Sequence, residues 1–239
     1  MLLTVEELKS GYGKIEVLRS ISIQVGAGER VGLFGPNGHG KTTLLRTISG
    51  LITPTAGRVV FEDEEIVSLP PRAIVSRGLI HVSQGNTLFP RMTVLENLML
   101  GAYSSRAWPH RKESLERVFE LFPILKTRSG QLARTLSGGQ RQMASIGIGL
   151  MSVPKLLMLD EPTLGLAPKV KDELAAAIDE IAQTGVSMVL VDQDVELLLA
   201  LCERLYLVER GTVSLETKRG EMISQEDVLE MYFGEARAR

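Results

Sequence analysis

The chain has 239 residues, of which 44% are hydrophobic and 23% charged, with a net charge of −2. That balance is ordinary for a soluble globular protein with a real core, and it leaves no electrostatic footprint for a nucleic-acid partner. A lone cysteine, Cys202, excludes an intramolecular disulfide, and no apolar run approaches the ~18 residues that a membrane span needs.

The start, Met1 to Glu7, lacks the basic end and apolar core of a signal peptide, and Cys202 reads as a small buried apolar residue in a reducing compartment. Leu2 to Leu8 and Ile15 to Val25 read as strands, with Gly11-Tyr12-Gly13 as the turn between them; Ser20 to Val25 alternates at period 2. Arg30 to Phe34 is a short buried strand. Gly35-Pro36-Asn37-Gly38-His39-Gly40-Lys41-Thr42-Thr43 follows, and Thr43 to Ile48 opens a helix. Arg58 to Phe61 is a strand, Pro70-Pro71-Arg72 starts a helix that Gly78 ends, and Leu79 to Ser83 is a strand. From about 87 to 152 the pattern turns helical: Thr93 to Leu100, a polar loop over Ser104 to His110, then Arg111 to Phe122. An inserted helical subdomain within a single domain spanning 1–239 is expected. Lys155 to Asp160 is an apolar run suited to a central parallel strand, Pro168 to Gln183 an amphipathic helix, and Val186 to Val191 a buried strand. Asp194 can cap a helix running to Cys202; Arg204 to Val208 and Thr212 to Leu215 flank the turn Arg210-Gly211. A last helix is expected over Glu221 to Phe233, with Glu235 to Arg239 as a frayed tail.

The nine residues Gly35 to Thr43 fit G-x-x-x-x-G-K-[ST] in the strand–loop–helix context that this pattern requires. The glycines let backbone N–H groups of Gly35, Pro36's neighbours, Asn37, Gly38, His39 and Gly40 curl toward one anion, and the helix N-terminus adds partial positive charge. Lys41 supplies a point charge for the outer phosphates, and Thr42 a hydroxyl for Mg²⁺. The ring of His39 is expected to face solvent, and His110 to lie on the surface. Leu136-Ser137-Gly138-Gly139-Gln140 leads into a second helix, Arg141 to Met151, and makes a second anion site about a hundred residues away. Two distant phosphate sites in one domain imply a nucleotide shared between two copies. Asp160, at the end of an apolar strand, is placed to hold Mg²⁺; Glu161, one residue on, faces differently and can activate a water.

These motifs, in this order and spacing over nearly the whole chain, resemble the ATP-binding-cassette (ABC) ATPases. The resemblance implies an α/β fold: a P-loop NTPase, RecA-like core with an antiparallel β subdomain and an inserted helical subdomain. It implies ATP and Mg²⁺ as ligands. By position, Tyr12 looks like the aromatic that stacks on adenine, and Gln84 like the residue that contacts Mg²⁺ and the attacking water. Ser137, Gly139 and Gln140 look like the contacts to the γ-phosphate held by the opposite subunit.

Gln193 stands where the family usually carries a histidine, and the loop Thr163-Leu164-Gly165-Leu166-Ala167-Pro168 lacks its usual closing Asp. With the ending Met231-Tyr232-Phe233-Gly234, these departures look like the second ATPase of branched-chain (hydrophobic) amino acid importers. His81 to Asn86 departs from that branch, and related importers carry urea or short amides. A glutamine cannot carry a proton at neutral pH, so Gln193 is expected to orient phosphate while Glu161 acts as base. The implied partners are transmembrane permease subunits, a second ABC ATPase (the same chain or a relative) and, indirectly, a solute-binding protein, with no nucleic acid. The implied place is peripheral, on the cytoplasmic face of the inner (plasma) membrane. A soluble ABC ATPase acting in DNA repair or on ribosomes is the rival reading; a small-molecule kinase is a weaker one, since it has no use for the Leu136–Gln140 helix start.

Overall fold

The structure is a computed structural model, and it describes residues 1–85 and 88–218. The helix expected over Glu221–Phe233 and the ending Met231–Gly234 lie outside the described residues. Ten strands and eight α-helices are described, in two sheets.

The first sheet is antiparallel. Strands β1 (Leu3–Tyr12), β2 (Ile15–Val25), β4 (Ala56–Phe61) and β5 (Glu64–Glu65) lie in the order β2-β1-β4-β5. Gly11 and Tyr12, expected in a turn, belong to β1. The hairpin ladder absorbs register shifts after Val5, Leu8 and Ser10 and so carries pairing out to Tyr12 opposite Ile15.

The second sheet orders β10 (Thr212–Lys218), β9 (Arg204–Glu209), β3 (Arg30–Phe34), β8 (Ser187–Val191), β7 (Leu156–Asp160) and β6 (Leu79–Val82). All neighbours are parallel except β10 on β9. The central strands β7 and β8 are buried at every position, which is why their sequences run apolar without alternation. Helices α1 (Lys41–Ile48), α7 (Pro168–Ala182) and α8 (Val195–Leu201) follow β3, β7 and β8. Asp194 caps α8, accepting the Leu197 N–H at 3.2 Å. The helix α2 (Pro71–Arg77) leads into β6 and stops at Gly78, where φ is 99°.

Between β6 and β7 lie α3 (Val94–Gly101), α4 (Arg111–Leu121), α5 (Pro123–Thr127) and α6 (Gly138–Met151). Thr93 and Glu96 form a reciprocal capping box at the start of α3. The stretch Ser104–His110 is less polar than its sequence suggests. Ala107 is fully buried, and exposed Trp108 stacks under the Arg111 guanidinium at 4.2 Å. Apolar side chains of these helices, among them Leu98, Val118, Leu125 and Ile146, form one cluster with residues of β7, β8, α7 and α8. A second cluster, between the six-stranded sheet, α1 and the antiparallel sheet, holds Leu33, Leu44, Met158 and Val189 with Leu3 and Ile21. Alternate residues of the central strands feed opposite clusters, so the sheet is covered on both faces. Cys202 is fully buried beside Gly32.

The parallel order has a functional consequence. The loops leaving β3, β8, β7 and β6 all emerge at the same end of the sheet, where ligands of open α/β sheets bind.

Candidate functional site

Backbone geometry shapes the loop after β3. Gly35 has φ 137°, and a Cβ there would sit 2.2 Å from the Val208 carbonyl oxygen, so no larger residue fits. Gly40, φ 110°, is the N-cap of α1 and offers no side-chain cap, so the first N–H groups of that helix keep no side-chain partner at the cap. A cavity of about 130 Å³ opens there, lined by Asn37, Gly38, Gly40, Lys41, Thr42, Thr43 and Glu161. Pro36 does not line it but lends its carbonyl to Lys41. The Lys41 ammonium donates to the carbonyls of Gly35 at 2.6 Å and Pro36 at 3.0 Å. Burial pushes the Lys41 ammonium below the usual lysine range, against the opposing pull of Glu161, Asp160 and Asp192.

His39 does not simply face solvent. Its ring is half-buried, Nδ1 accepts from the Arg210 N–H at 3.3 Å, and its carbonyl accepts from the Gly211 N–H at 3.1 Å. The turn between β9 and β10 thus braces the phosphate loop from behind. His110 is exposed.

Asp160 ends β7, 1% exposed. Its Oδ1 accepts from the Thr42 hydroxyl at 3.1 Å, while Oδ2 is buried with no hydrogen-bond partner. Burial raises the Asp160 carboxyl above the usual range, and the Thr42 bond opposes that shift. Glu161 follows with φ 49°, a left-handed backbone unusual for a non-glycine residue and held by its N–H on the Val191 carbonyl at 2.8 Å. The twist turns its carboxylate toward two amides. Oε2 accepts from Gln84 Nε2 at 2.7 Å, and Oε1 accepts from Gln193 Nε2 at 3.1 Å. Three loops, from β6, β7 and β8, therefore meet on one carboxylate beside the phosphate loop.

Tyr12 lies at the end of β1, 47% exposed, and its hydroxyl accepts from Arg46 of α1 at 3.2 Å. Its ring is free to stack on a flat group, but it does not line the cavity at Lys41.

The Ser137 segment sits apart from that cavity. Ser137 Oγ accepts from the Gln140 N–H at 3.3 Å, and Gln140 Oε1 from the Ser137 N–H at 3.1 Å, so both side chains cap their own helix. A Cβ on Gly139 would meet Val170 of α7 at 2.5 Å; this glycine lets two helices approach. Gly138 has open space instead and lines a separate cleft of about 410 Å³ with Gln84, Arg141, Glu161 and Leu164. Thr163 and Asp192, whose side chains bond each other at 2.8 Å behind Glu161 and Gln193, are contacts that sequence reasoning passed over, although both sat inside segments it had singled out.

The sequence pattern that defines the ABC transporter family matches residues 18–164. The chain belongs to the ABC transporter family. This ABC ATPase is 38% identical to the "high-affinity branched-chain amino acid transport ATP-binding protein BraG" of Pseudomonas aeruginosa, over 98% of this chain and all of that one. It is 32% identical to the "lipopolysaccharide export system ATP-binding protein LptB" of Escherichia coli, over 98% and 97% of the two chains. Among solved structures, a nucleotide-free ATP-binding cassette from an ABC transporter superposes with a TM-score of 0.83 at 28% identity, covering 97% of this chain and 98% of that one. The expected P-loop NTPase fold, with its α/β core, antiparallel sheet and helices, is the fold of this nucleotide-binding ABC ATPase.

Proposed function

We propose that this chain is the ATP-hydrolysing subunit of an importer for branched-chain amino acids or related small solutes. The observation that carries the reading is the meeting of Gln84 and Gln193 on Glu161, next to Lys41. A carboxylate gripped by two amide donors is held in one orientation, which is what a general base for water needs. Lys41 and the N–H groups at the start of α1 hold the outer phosphates. Tyr12 stacks on the adenine.

Mg²⁺ fits the donors present. The buried, unpartnered Oδ2 of Asp160 and the Thr42 hydroxyl are hard oxygen ligands, and Gln84 adds an amide oxygen. Among the described residues no cluster of three or more His, Cys, Asp or Glu could hold a metal, in keeping with an ion that takes few protein ligands and its substrate's phosphates. When bound, Mg²⁺ would neutralise charge on the β- and γ-phosphates. Gln84 and Gln193 orient the water and the γ-phosphate while Glu161 accepts the proton.

The cavity at Lys41 and the cleft at Gly138 share Glu161 but no other lining residue, so the Ser137 segment does not line the cavity at Lys41, which favours a site closed by a second ABC ATPase, whether a copy of this chain or a relative. There Ser137, Gly139 and Gln140 would reach the partner's γ-phosphate, exchanging their internal caps for the anion. We assign residues of about 87–152 to a helical subdomain that moves as ATP closes that sandwich. Exposed Phe89 and Leu100 border a cleft of about 190 Å³ floored by Val82, Ser83, Ser145 and Ile148. An apolar surface of this kind suits a transmembrane permease. No helix of the described residues is long and apolar enough to cross a membrane. The chain would therefore act peripherally, on the cytoplasmic face of the inner (plasma) membrane, with a solute-binding protein feeding the permease from the other side.

The name of the Pseudomonas relative favours branched-chain amino acids as cargo. The test is uptake of labelled leucine, isoleucine and valine, beside urea and acetamide, in cells with and without this subunit. Loss confined to the amino acids supports the reading. Unchanged uptake of all three, with the purified chain still hydrolysing ATP, would move the cargo elsewhere.

A further inference from the structure

Gln193 is exposed, and the bond that aims it runs from its Nε2 to Glu161. The backbone beneath it is held from both sides. Asp192 is 4% exposed. Its Oδ2 accepts from the Thr163 hydroxyl at 2.8 Å and the Thr163 N–H at 3.4 Å, and its Oδ1 accepts from the Asp194 N–H at 3.0 Å. Asp194 pairs with Lys171 on α7 at 3.2 Å. Both neighbours of Gln193 are thus anchored to the segment 163–171, which begins two residues after Glu161.

A carboxylate this buried persists only where donors satisfy it. These donors come from the two loops that frame Glu161, and Asp192 also lies near enough to Lys41 for their charges to interact. Leu164, next to Thr163, is 53% exposed and lines the cleft shared with Gly138. The cleft is thus lined by the loop that Thr163 ties to Asp192.

We propose that Asp192 is a positioning residue that, through Thr163, keeps the Gln193 amide on Glu161 and makes that contact follow the loop after β7. The catalytic meaning of the staple rests on the reading of Glu161 as the base; its geometric content does not.

Two measurements on the full chain separate these. The first needs no nucleotide and no turnover. In chain labelled with ¹⁵N-glutamine, the Gln193 side-chain amide is identified by its loss in Gln193→Ala. Asp192→Asn and Thr163→Val should each move that signal to the position of a solvated amide, and Thr163→Ser should restore it. A Gln193 signal unmoved in Thr163→Val, which removes one hydroxyl, overturns the proposal even if Asp192→Asn fails to fold. The second is ATP hydrolysis. Asp192→Asn should lower kcat about tenfold, the worth of one well-placed hydrogen bond, and leave KM within about twofold. In the Gln193→Ala background it should cost nothing more, because its route is already cut. An equal loss in both backgrounds overturns the proposal. A moved Gln193 signal beside active Glu161→Gln enzyme would keep the staple and remove Glu161 as base.

Discussion

Replacing Glu161 by Gln tests the centre of the site. The side chains are the same size, so the left-handed backbone at φ 49° and its bond to the Val191 carbonyl should persist. What is lost is the ability to take a proton near neutral pH. General-base catalysis contributes about 10²–10⁴-fold, or about 3–5 kcal/mol of barrier. A second effect is smaller. The two amides of Gln84 and Gln193 would face an amide instead of a carboxylate, so one of their bonds must turn or break, at about 1 kcal/mol of stability. The chemical effect therefore wins: turnover should fall at least about a hundredfold while the midpoint of thermal unfolding falls by only a few degrees. Nucleotide affinity should hold or rise, because one of the negative charges facing the phosphates is gone. Steady-state phosphate release, equilibrium binding of a fluorescent ATP analogue and a thermal melt read these quantities in turn. Turnover within about threefold of the parent chain, with normal binding, would refute the assignment of Glu161 as base.

Lys41→Ala removes the ammonium that now donates to Gly35 and Pro36; ATP affinity should drop about 10–100-fold with the fold intact, and unchanged affinity by titration calorimetry would sink the phosphate-loop assignment. Gln193→Ala should cost about tenfold in kcat, less than Glu161→Gln; the reverse order in the same phosphate-release assay would make Gln193 the central group. His81 gives a pH test. Burial, then the charge of Arg46, push its imidazole down to about 4, from an ordinary value of 6.5. Between those values the unfolded chain binds more protons, so stability is full above pH 6.5 and declines as pH falls, by about 2 kcal/mol at pH 5. His81→Asn keeps an amide to meet the Ser49 hydroxyl now 3.1 Å from Nδ1, and should flatten unfolding free energy against pH in that window; an unchanged slope in urea titrations would assign the acid sensitivity to another group.

Much was legible in the sequence because it is locally encoded. Gly35 to Thr43 between an apolar strand and a helix specifies a phosphate loop through glycine torsions and helix polarity, both set within a dozen residues. The apolar run ending at Asp160 announced a central parallel strand, the run ending at Val191 a buried strand, and Asp194 a helix start. The antiparallel hairpin was legible in kind but not in extent, since the bulges that carry β1 to Tyr12 depend on pairing with β2.

Tertiary structure decided which of these residues meet. Gln84, Glu161 and Gln193 are up to 109 positions apart, from 84 to 193, and come together because β6, β7 and β8 are adjacent and parallel, so that their ends share one edge. No local pattern encodes strand order. Burial had the same character. Asp192 drew no reading from its local sequence, and only β8 and Thr163 enclose it; His39 reads as a solvent-facing ring until the Arg210 turn closes behind it. The sequence by itself determined the chemistry on offer, a glycine-rich loop ahead of a lysine and a pair of acids at a strand end, because torsions and side-chain types act over short range. The sheet decided how that chemistry is aimed, because a carboxylate's partners depend on which strands lie side by side.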